Sequence, residues 1–214
     1  MQKQLLVALL TVTSLFTQAQ KSGEEGAKSK QEDKNPSFKR ELSLEAKTET
    51  KGEVTVKGQK VPYKAVTGTI PVWDEDGKAI AGLFYVYYER TDVTNKDERP
   101  LVISFNGGPG TASVWMHLGY TGPKKLKIDD EGYPVQPYGF EENPNSILDV
   151  ADIVYVDPVN TGFSRILDKS VPGSKFFGVN ADVKYLADWI STFVVRNKRW
   201  ASPKFLIGES YGTT

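Results

Sequence analysis

The chain has 214 residues, and its 27 lysines and arginines balance its 27 aspartates and glutamates, so its formal net charge is zero. This balance leaves no basic stripe to bind nucleic-acid phosphates or anionic lipid, which argues against a nucleic-acid partner. The chain has no cysteine and one histidine, His117, which excludes disulfides and thiolate metal sites and disfavours a histidine metal centre. We therefore predict a globular protein that uses neither a metal nor a cofactor.

The first residues have the pattern of an export signal. Lys3 precedes a mostly apolar run over residues 5–16, and small or permissive residues follow it, which predicts a signal peptide over residues 1–19. The run is shorter than the ~20 residues that span a bilayer, so a signal is favoured over an anchor. We expect an exported protein, periplasmic or extracellular, without stable membrane insertion.

Residues 20–50 are charged and polar, include glycines and show no apolar periodicity. This composition is typical of a disordered linker rather than of a packed segment. We therefore predict a disordered polar linker over residues 20–50 and a folded domain over residues 51–214, without internal repeats.

The first part of that domain alternates apolar runs with polar turns, as antiparallel strands do. Polar turns are predicted near residues 57–59 and 74–77, and a polar break over residues 91–99. The sequence therefore predicts an antiparallel meander that leads into a buried strand. The predicted strands cover residues 54–56, 61–69, 82–90 and 101–105.

The second part alternates strands with a helix. Residues 153–156 and 204–207 form apolar runs typical of buried strands, and Asn180 is predicted to cap the helix between them. Together these elements predict an α/β class with a mixed, mostly parallel sheet. The predicted apolar face of the helix is Val183, Leu186, Ala187, Ile190, Phe193 and Val194, and its basic C-terminal end is Arg196, Lys198 and Arg199.

The last predicted strand runs directly into Gly208-Glu209-Ser210-Tyr211-Gly212. A G-x-S-x-G sequence after a strand is typical of a nucleophile elbow, in which the serine lies in a strained turn between a strand and a helix. Glycines flank it because side chains there would collide across the turn, and the N–H of Tyr211 can donate to a developing oxyanion. The same pattern also occurs by chance in ordinary turns, so it needs a second motif.

That second motif is Asn106-Gly107-Gly108-Pro109-Gly110, which follows the strand over residues 101–105. Three glycines leave the amides of this loop without shielding side chains, as the second donor of an oxyanion hole requires. A simple Gly-Pro turn is the alternative. The position of the loop ahead of the elbow favours a hydrolase.

Three motifs carry a family resemblance: the glycine loop at residues 106–110, Asp-Pro-Val-Asn-Thr-Gly-Phe-Ser at residues 157–164, and Gly-Glu-Ser-Tyr at residues 208–211. In this order they resemble the serine carboxypeptidase family, the carboxypeptidase C and cathepsin A group. The resemblance extends from about residue 83 to the end. It implies an α/β-hydrolase fold, here incomplete at its C-terminus.

The resemblance implies a catalytic set and a substrate. Ser210 is the expected nucleophile, and the backbone N–H groups of Gly108 and Tyr211 are the expected oxyanion hole. The expected substrate is a peptide with a free C-terminus, which makes the enzyme an exopeptidase. The implied ligands of its carboxylate are Asn106, the Gly107 N–H and Glu209.

The carboxylate-binding set has an electrostatic consequence. Glu209 and a substrate carboxylate cannot approach closely while both are ionised, so one of them must hold a proton. We therefore expect better peptidase activity in mildly acidic than in alkaline solution. The family often supplies a second glutamate, but this chain has Tyr120 there, whose hydroxyl could donate to Glu209, so the acid preference lacks a carboxylate pair.

The chain also departs from the family elsewhere. Residues 111–113 are Thr-Ala-Ser in place of the usual Cys-Ser-Ser, which together with the absence of cysteine suggests a bacterial branch. The resemblance places the acid and the histidine of the triad beyond Thr214. His117 is expected to have a structural or surface role in a short helix, and Asp152 and Asp157 to be turn or loop residues.

Two alternatives stay open beside a peptidase. Loss of the base costs a serine hydrolase ~10⁴ to 10⁶ in rate, so the 214-residue chain alone is expected to be nearly inactive. The first alternative keeps the fold and changes the reaction to that of an esterase or acyltransferase. The second is a non-catalytic truncated product that binds peptides or has no activity.

Overall fold

The structure is a computed structural model that describes residues 43–214. The predicted signal peptide and residues 20–42 of the predicted linker lie outside the described residues. The first strand begins at Lys47, so the last four residues of the predicted linker belong to the sheet. No helix within the described range is both long and apolar enough to cross a membrane.

Residues 43–214 form nine strands and one α-helix, together with short helical turns. The strands are β1 (Lys47–Val56), β2 (Gln59–Trp73), β3 (Ala79–Arg90), β4 (Leu101–Phe105), β5 (Lys124–Leu126), β6 (Phe140–Glu142), β7 (Asp152–Val156), β8 (Arg165–Ile166) and β9 (Lys204–Gly208), and the helix is α1 (Val179–Arg196).

Seven strands form one mixed sheet in the order β1-β2-β3-β7-β4-β9, with β8 paired to β3, while β5 and β6 form a separate hairpin. The predicted meander is confirmed, because β1, β2 and β3 are antiparallel neighbours. Along the chain it leads into the buried strand β4, as predicted, but within the sheet β3 pairs with β7 and not with β4. Strands β7, β4 and β9 are parallel, which confirms the predicted α/β class with a mixed sheet. The sheet is not mostly parallel within residues 43–214, because its other pairings, made by β1, β2, β3 and β8, are antiparallel.

The start of α1 differs from the prediction. The helix begins at Val179, and its N-cap is Gly178, whose φ of +122° is a conformation that favours glycine. Asn180 therefore lies inside the first turn, and its prediction as the cap is wrong. A backbone that turns through a glycine leaves no position for a capping side chain.

The buried face of α1 is aromatic rather than aliphatic. Tyr185, Trp189 and Phe193 are buried at a spacing of four residues, and the rings of Trp189 and Phe193 contact Tyr85 and Tyr87 of β3 edge-on. Of the predicted face, Phe193 and Val194 are buried, Leu186 and Ile190 are half-buried, and Val183 and Ala187 are exposed. The larger apolar area of the aromatic rings explains which stripe faces the sheet.

A buried ion-pair cluster joins the beginnings of the parallel strands. Asp152, the first residue of β7, accepts a hydrogen bond from Arg99 Nε at 2.8 Å and from Arg199 Nη1 at 2.6 Å. Asp152 and Arg199 have no solvent exposure. Arg199 also donates to the Arg99 carbonyl and the Tyr87 hydroxyl. The predictions of Asp152 as a turn or loop residue and Arg199 as a helix-end cation are therefore wrong, because each neutralises the other's buried charge.

The cluster predicts a large loss of stability when its anion is removed. Asp152→Asn leaves two buried guanidinium groups without a counter-charge, which lowers the free energy of unfolding by ~3–5 kcal/mol. Urea denaturation measures this change. Glu53→Gln is the control, because Glu53 pairs with Lys60 at the surface and exposed pairs contribute little. Equal losses in the two variants would contradict a structural role of Asp152.

Candidate active site

The three sequence motifs meet because of sheet topology. They follow the carboxyl ends of β7, β4 and β9, and these are adjacent parallel strands. Phe105 at the end of β4 lies opposite Gly208 at the end of β9. The carboxyl ends of parallel strands share one edge of a sheet, where open α/β folds bind ligands. The glycine loop and the elbow are therefore neighbours.

The elbow has the strained geometry that its sequence predicts. Ser210 has a φ of +55° and is exposed, and a 3₁₀ turn over Ser210–Thr213 follows the strand. A Cβ on Gly208 would lie 2.0 Å from the Gly212 carbonyl oxygen, which confirms the predicted collision across the turn. A Cβ on Gly212 would instead lie 2.9 Å from the Phe105 carbonyl oxygen, so this glycine is required by the end of β4.

The glycine loop is in backbone contact with the elbow. A Cβ on Gly107 would lie 2.4 Å from both the Tyr211 nitrogen and the Glu209 carbonyl oxygen. Within residues 43–214, the N–H groups of Gly108 and Tyr211 donate no hydrogen bond. Two uncommitted amide donors thus lie in two turns that are in main-chain contact.

The predicted carboxylate ligands also come together. Asn106 is buried, and its Nδ2 lies 3.4 Å from Glu209 Oε2. Asn106 Oδ1 accepts a hydrogen bond from the Met116 N–H at 3.0 Å. Because a backbone N–H can only donate, this bond orients the amide, and Nδ2 therefore faces Glu209.

Tyr120 does not take the place of the missing family glutamate. Its side chain is exposed, and within the described part of the chain its hydroxyl makes no hydrogen bond to Glu209. Its backbone carbonyl accepts a hydrogen bond from Asn143 Nδ2 at 2.8 Å. The suggested donation from Tyr120 to Glu209 is therefore absent.

Asp157 connects the third motif to the segment that follows the glycine loop. One of its carboxylate oxygens accepts from the Ser113 N–H at 2.9 Å, and the other accepts from the Phe163 N–H at 3.2 Å. Burial raises the pKa of Asp157 above its ordinary value, against these two hydrogen bonds. It is a loop residue as predicted, but its link to the segment after the glycine loop was not predicted.

Asp182 of α1 was missed by sequence reasoning. Its carboxylate accepts hydrogen bonds from the hydroxyls of Tyr211, at 2.8 Å, and Tyr185, at 2.7 Å. The hydrogen bond to Asp182 raises the pKa of Tyr211. Spacing on a helix indicates that Asp182 and Tyr185 share a face, but no local signal indicates the contact with Tyr211, which anchors the elbow to α1.

His117 lies in a π-helix over Met116–Thr121, which follows the glycine loop. Its Nε2 is 2.8 Å from the Tyr88 hydroxyl, and its ring stacks on Tyr155 with centroids 4.5 Å apart. Burial lowers the pKa of His117 to about 4, so the ring is neutral at physiological pH. Across residues 43–214, no group of three or more metal-binding side chains is present.

An apolar cavity of about 230 Å³ adjoins the site between the glycine loop and α1. Val183 and Leu186 of the helix and Leu206 of β9 line it, and Tyr211 borders it. The predicted apolar positions of α1 that do not face the sheet therefore line a recess beside the elbow.

Comparison with known proteins identifies the family. Residues 55–214 match the family described as serine carboxypeptidase. The chain belongs to this family. It is 34% identical over 133 residues to serine carboxypeptidase-like 49 of Arabidopsis thaliana, covering 61% of this chain and 23% of that one. A serine carboxypeptidase family member of Dictyostelium discoideum is 30% identical, with 61% and 29% covered.

Solved structures agree with this membership. The prohormone-processing carboxypeptidase Kex1 of Saccharomyces cerevisiae superposes with a TM-score of 0.54 and 25% identity, covering 71% of this chain and 31% of that structure. The predicted α/β-hydrolase fold is thereby confirmed. The chain spans roughly a quarter to a third of the length of these serine carboxypeptidases.

The contact between the glycine loop and the elbow predicts the effect of a single methyl group. Gly107→Ala places a Cβ against the backbone of Glu209 and Tyr211, where no flexible side chain can yield. Overpacking of this kind costs ~1–3 kcal/mol, which urea denaturation measures. Gly139→Ala is the control, because nothing lies within 4 Å of its added Cβ. An unchanged stability of Gly107→Ala would refute the close approach.

The half-buried imidazole of His117 predicts a pH dependence of stability. The folded protein binds a proton at His117 less readily than the unfolded chain, whose histidine pKa is about 6.5, so stability falls as the pH falls from about 6.5 towards 4. For a partly exposed ring we expect a loss of ~2 kcal/mol between pH 7 and pH 4.5. His117→Gln should remove this part of the dependence.

NMR follows the same proton directly. The chain has one histidine, so its ring signals need no assignment. A titration midpoint near 6.5 instead of about 4 would show that the ring is solvated.

Proposed function

We propose that the complete protein is a serine-type carboxypeptidase that hydrolyses the C-terminal peptide bond through an acyl-enzyme on Ser210. The observation that carries this proposal is the pairing of the Asn106 amide with Glu209 at 3.4 Å, one residue before the nucleophile. An elbow serine alone suits many acyl transfers. A neighbouring pair that can hold a carboxylate restricts the reaction to free C-termini.

The proposed reaction begins with attack of Ser210 Oγ on the last peptide carbonyl, while a base takes the hydroxyl proton. The N–H groups of Gly108 and Tyr211 stabilise the oxyanion. The C–N bond then breaks, the leaving amino acid takes the proton, and water hydrolyses the acyl-enzyme. We place the base and its acid partner beyond Thr214, as the family resemblance implies, because Tyr88 already engages the His117 ring.

The proposed carboxylate site consists of Asn106 Nδ2, the Gly107 N–H and Glu209. A substrate carboxylate reaches Glu209 only when the two share a proton. We therefore propose better activity in mildly acidic solution, with Glu209 alone as the source of this preference, since Tyr120 makes no hydrogen bond to it within residues 43–214.

We also propose that residues 1–19 direct export to the periplasm or the extracellular space. The relatives described above come from a plant, a slime mould and a yeast, and they give no support to a bacterial branch. We retain a soluble exported enzyme that acts on peptides without a cofactor, a metal or a nucleic-acid partner.

The proposal predicts dependence on a free C-terminus. The full-length protein should cleave an N-blocked dipeptide acid faster than its C-terminal amide, and Ser210→Ala should reduce kcat by ~10⁴ or more. Chromatographic release of the last residue measures both. Ser191→Ala, at an exposed position of α1, is the control. Equal rates for acid and amide would favour an esterase or acyltransferase, and full activity of Ser210→Ala would exclude the nucleophile.

A further inference from the structure

A cluster of three aromatic side chains holds the segment behind the glycine loop. His117 Nε2 lies 2.8 Å from the Tyr88 hydroxyl of β3, and the imidazole stacks on Tyr155 of β7. Tyr88 and Tyr155 also contact each other edge-on. We call His117, Tyr88 and Tyr155 the aromatic clamp. It attaches the π-helix to two central strands.

The clamp is connected to the first residue of the π-helix. The Tyr155 hydroxyl lies 2.7 Å from Thr121 Oγ1, and Thr121 Oγ1 donates to the Met116 carbonyl at 2.9 Å. The backbone N–H of His117 donates to the Ser113 carbonyl at 3.0 Å. A π-helix is rare and is often found at functional sites. Here both of its ends are fixed by the same group of side chains.

The fixed segment reaches the proposed carboxylate site through one hydrogen bond. The Met116 N–H donates to Asn106 Oδ1 at 3.0 Å, and this bond turns Asn106 Nδ2 towards Glu209. A shift of the π-helix would release Oδ1 and let the amide rotate. The aromatic clamp therefore fixes the orientation of the Asn106 side-chain amide through Met116, without contacting that amide itself.

We propose that His117 is a positioning residue, which together with Tyr88 holds the π-helix in the register that aims the Asn106 amide at the substrate carboxylate. This inference rests on the proposed carboxypeptidase function. Substitution of a residue that only stabilised the fold would weaken the binding of acid and amide peptides equally, because both kinds of peptide bind beside the same elbow. A positioning residue changes the preference between them.

Binding measurements test this difference. In the full-length protein carrying Ser210→Ala, fluorescence anisotropy gives Kd for a labelled peptide acid and for its C-terminal amide. Misdirecting one hydrogen bond to a charged group should reduce the preference for the acid about tenfold in His117→Phe and in Tyr88→Phe, with the amide Kd unchanged. His117→Gln, which can still bond to Tyr88, should restore part of the preference. Tyr133→Phe, at an exposed tyrosine, is the matched control.

Each outcome decides the inference. An unchanged acid preference in both Phe variants overturns it, as does an equal weakening of acid and amide binding, or a lack of acid preference in the protein carrying Ser210→Ala alone. Tyr88→Phe removes a single oxygen atom and serves if His117→Phe does not fold. Hydrolysis of a peptide ester by the protein with Ser210 intact is measured in parallel. Failure there counts against the proposed function, while the binding preference still decides the role of His117.

Discussion

The site depends on the close approach of Gly107 to the elbow. No Cβ can fit between this residue and the backbone of Tyr211, so two turns from different strands lie in direct main-chain contact. The contact brings the glycine loop against the elbow, and the Asn106 side chain lies beside Glu209. The positive φ of Ser210 is strain of the kind that persists only where surrounding structure determines it, and this contact is part of that structure.

The two ends of the parallel strands are held by opposite means. At their beginnings, Asp152 binds the guanidinium groups of Arg99 and Arg199 in a buried cluster. At their carboxyl ends, the glycine loop and the elbow are in main-chain contact, because Gly107 has no side chain to keep them apart. Charge pairing thus fixes the beginnings of the strands, while the candidate site lies at their opposite ends. Sites placed on such rigid elements keep their geometry more accurately than sites carried by loops alone.

Local signals allowed most strands and the elbow to be predicted, because aliphatic runs beside glycine turns have few other structural solutions. Non-local features escaped prediction. The pairing of β3 with β7 has no marker in either strand, and Arg199 resembles an ordinary surface cation until its distant partner Asp152 is known. The buried face of α1 was predicted from aliphatic spacing, whereas Tyr185 and Trp189, with polar ring atoms, cover more of the sheet. The link of Asp182 to Tyr211 was missed because the two residues are far apart in sequence.

The pairing of β4 with β9 has a consequence for the order of folding. Leu101 lies opposite Lys204, so closing this register restricts a loop of roughly 100 residues, a non-local step that is entropically slower than forming a hairpin. The hairpins of β1, β2 and β3 need only short loops. Until β9 pairs with β4, the glycine loop and the elbow are therefore separate turns. The main-chain contact between the two turns forms only when β9 joins the sheet.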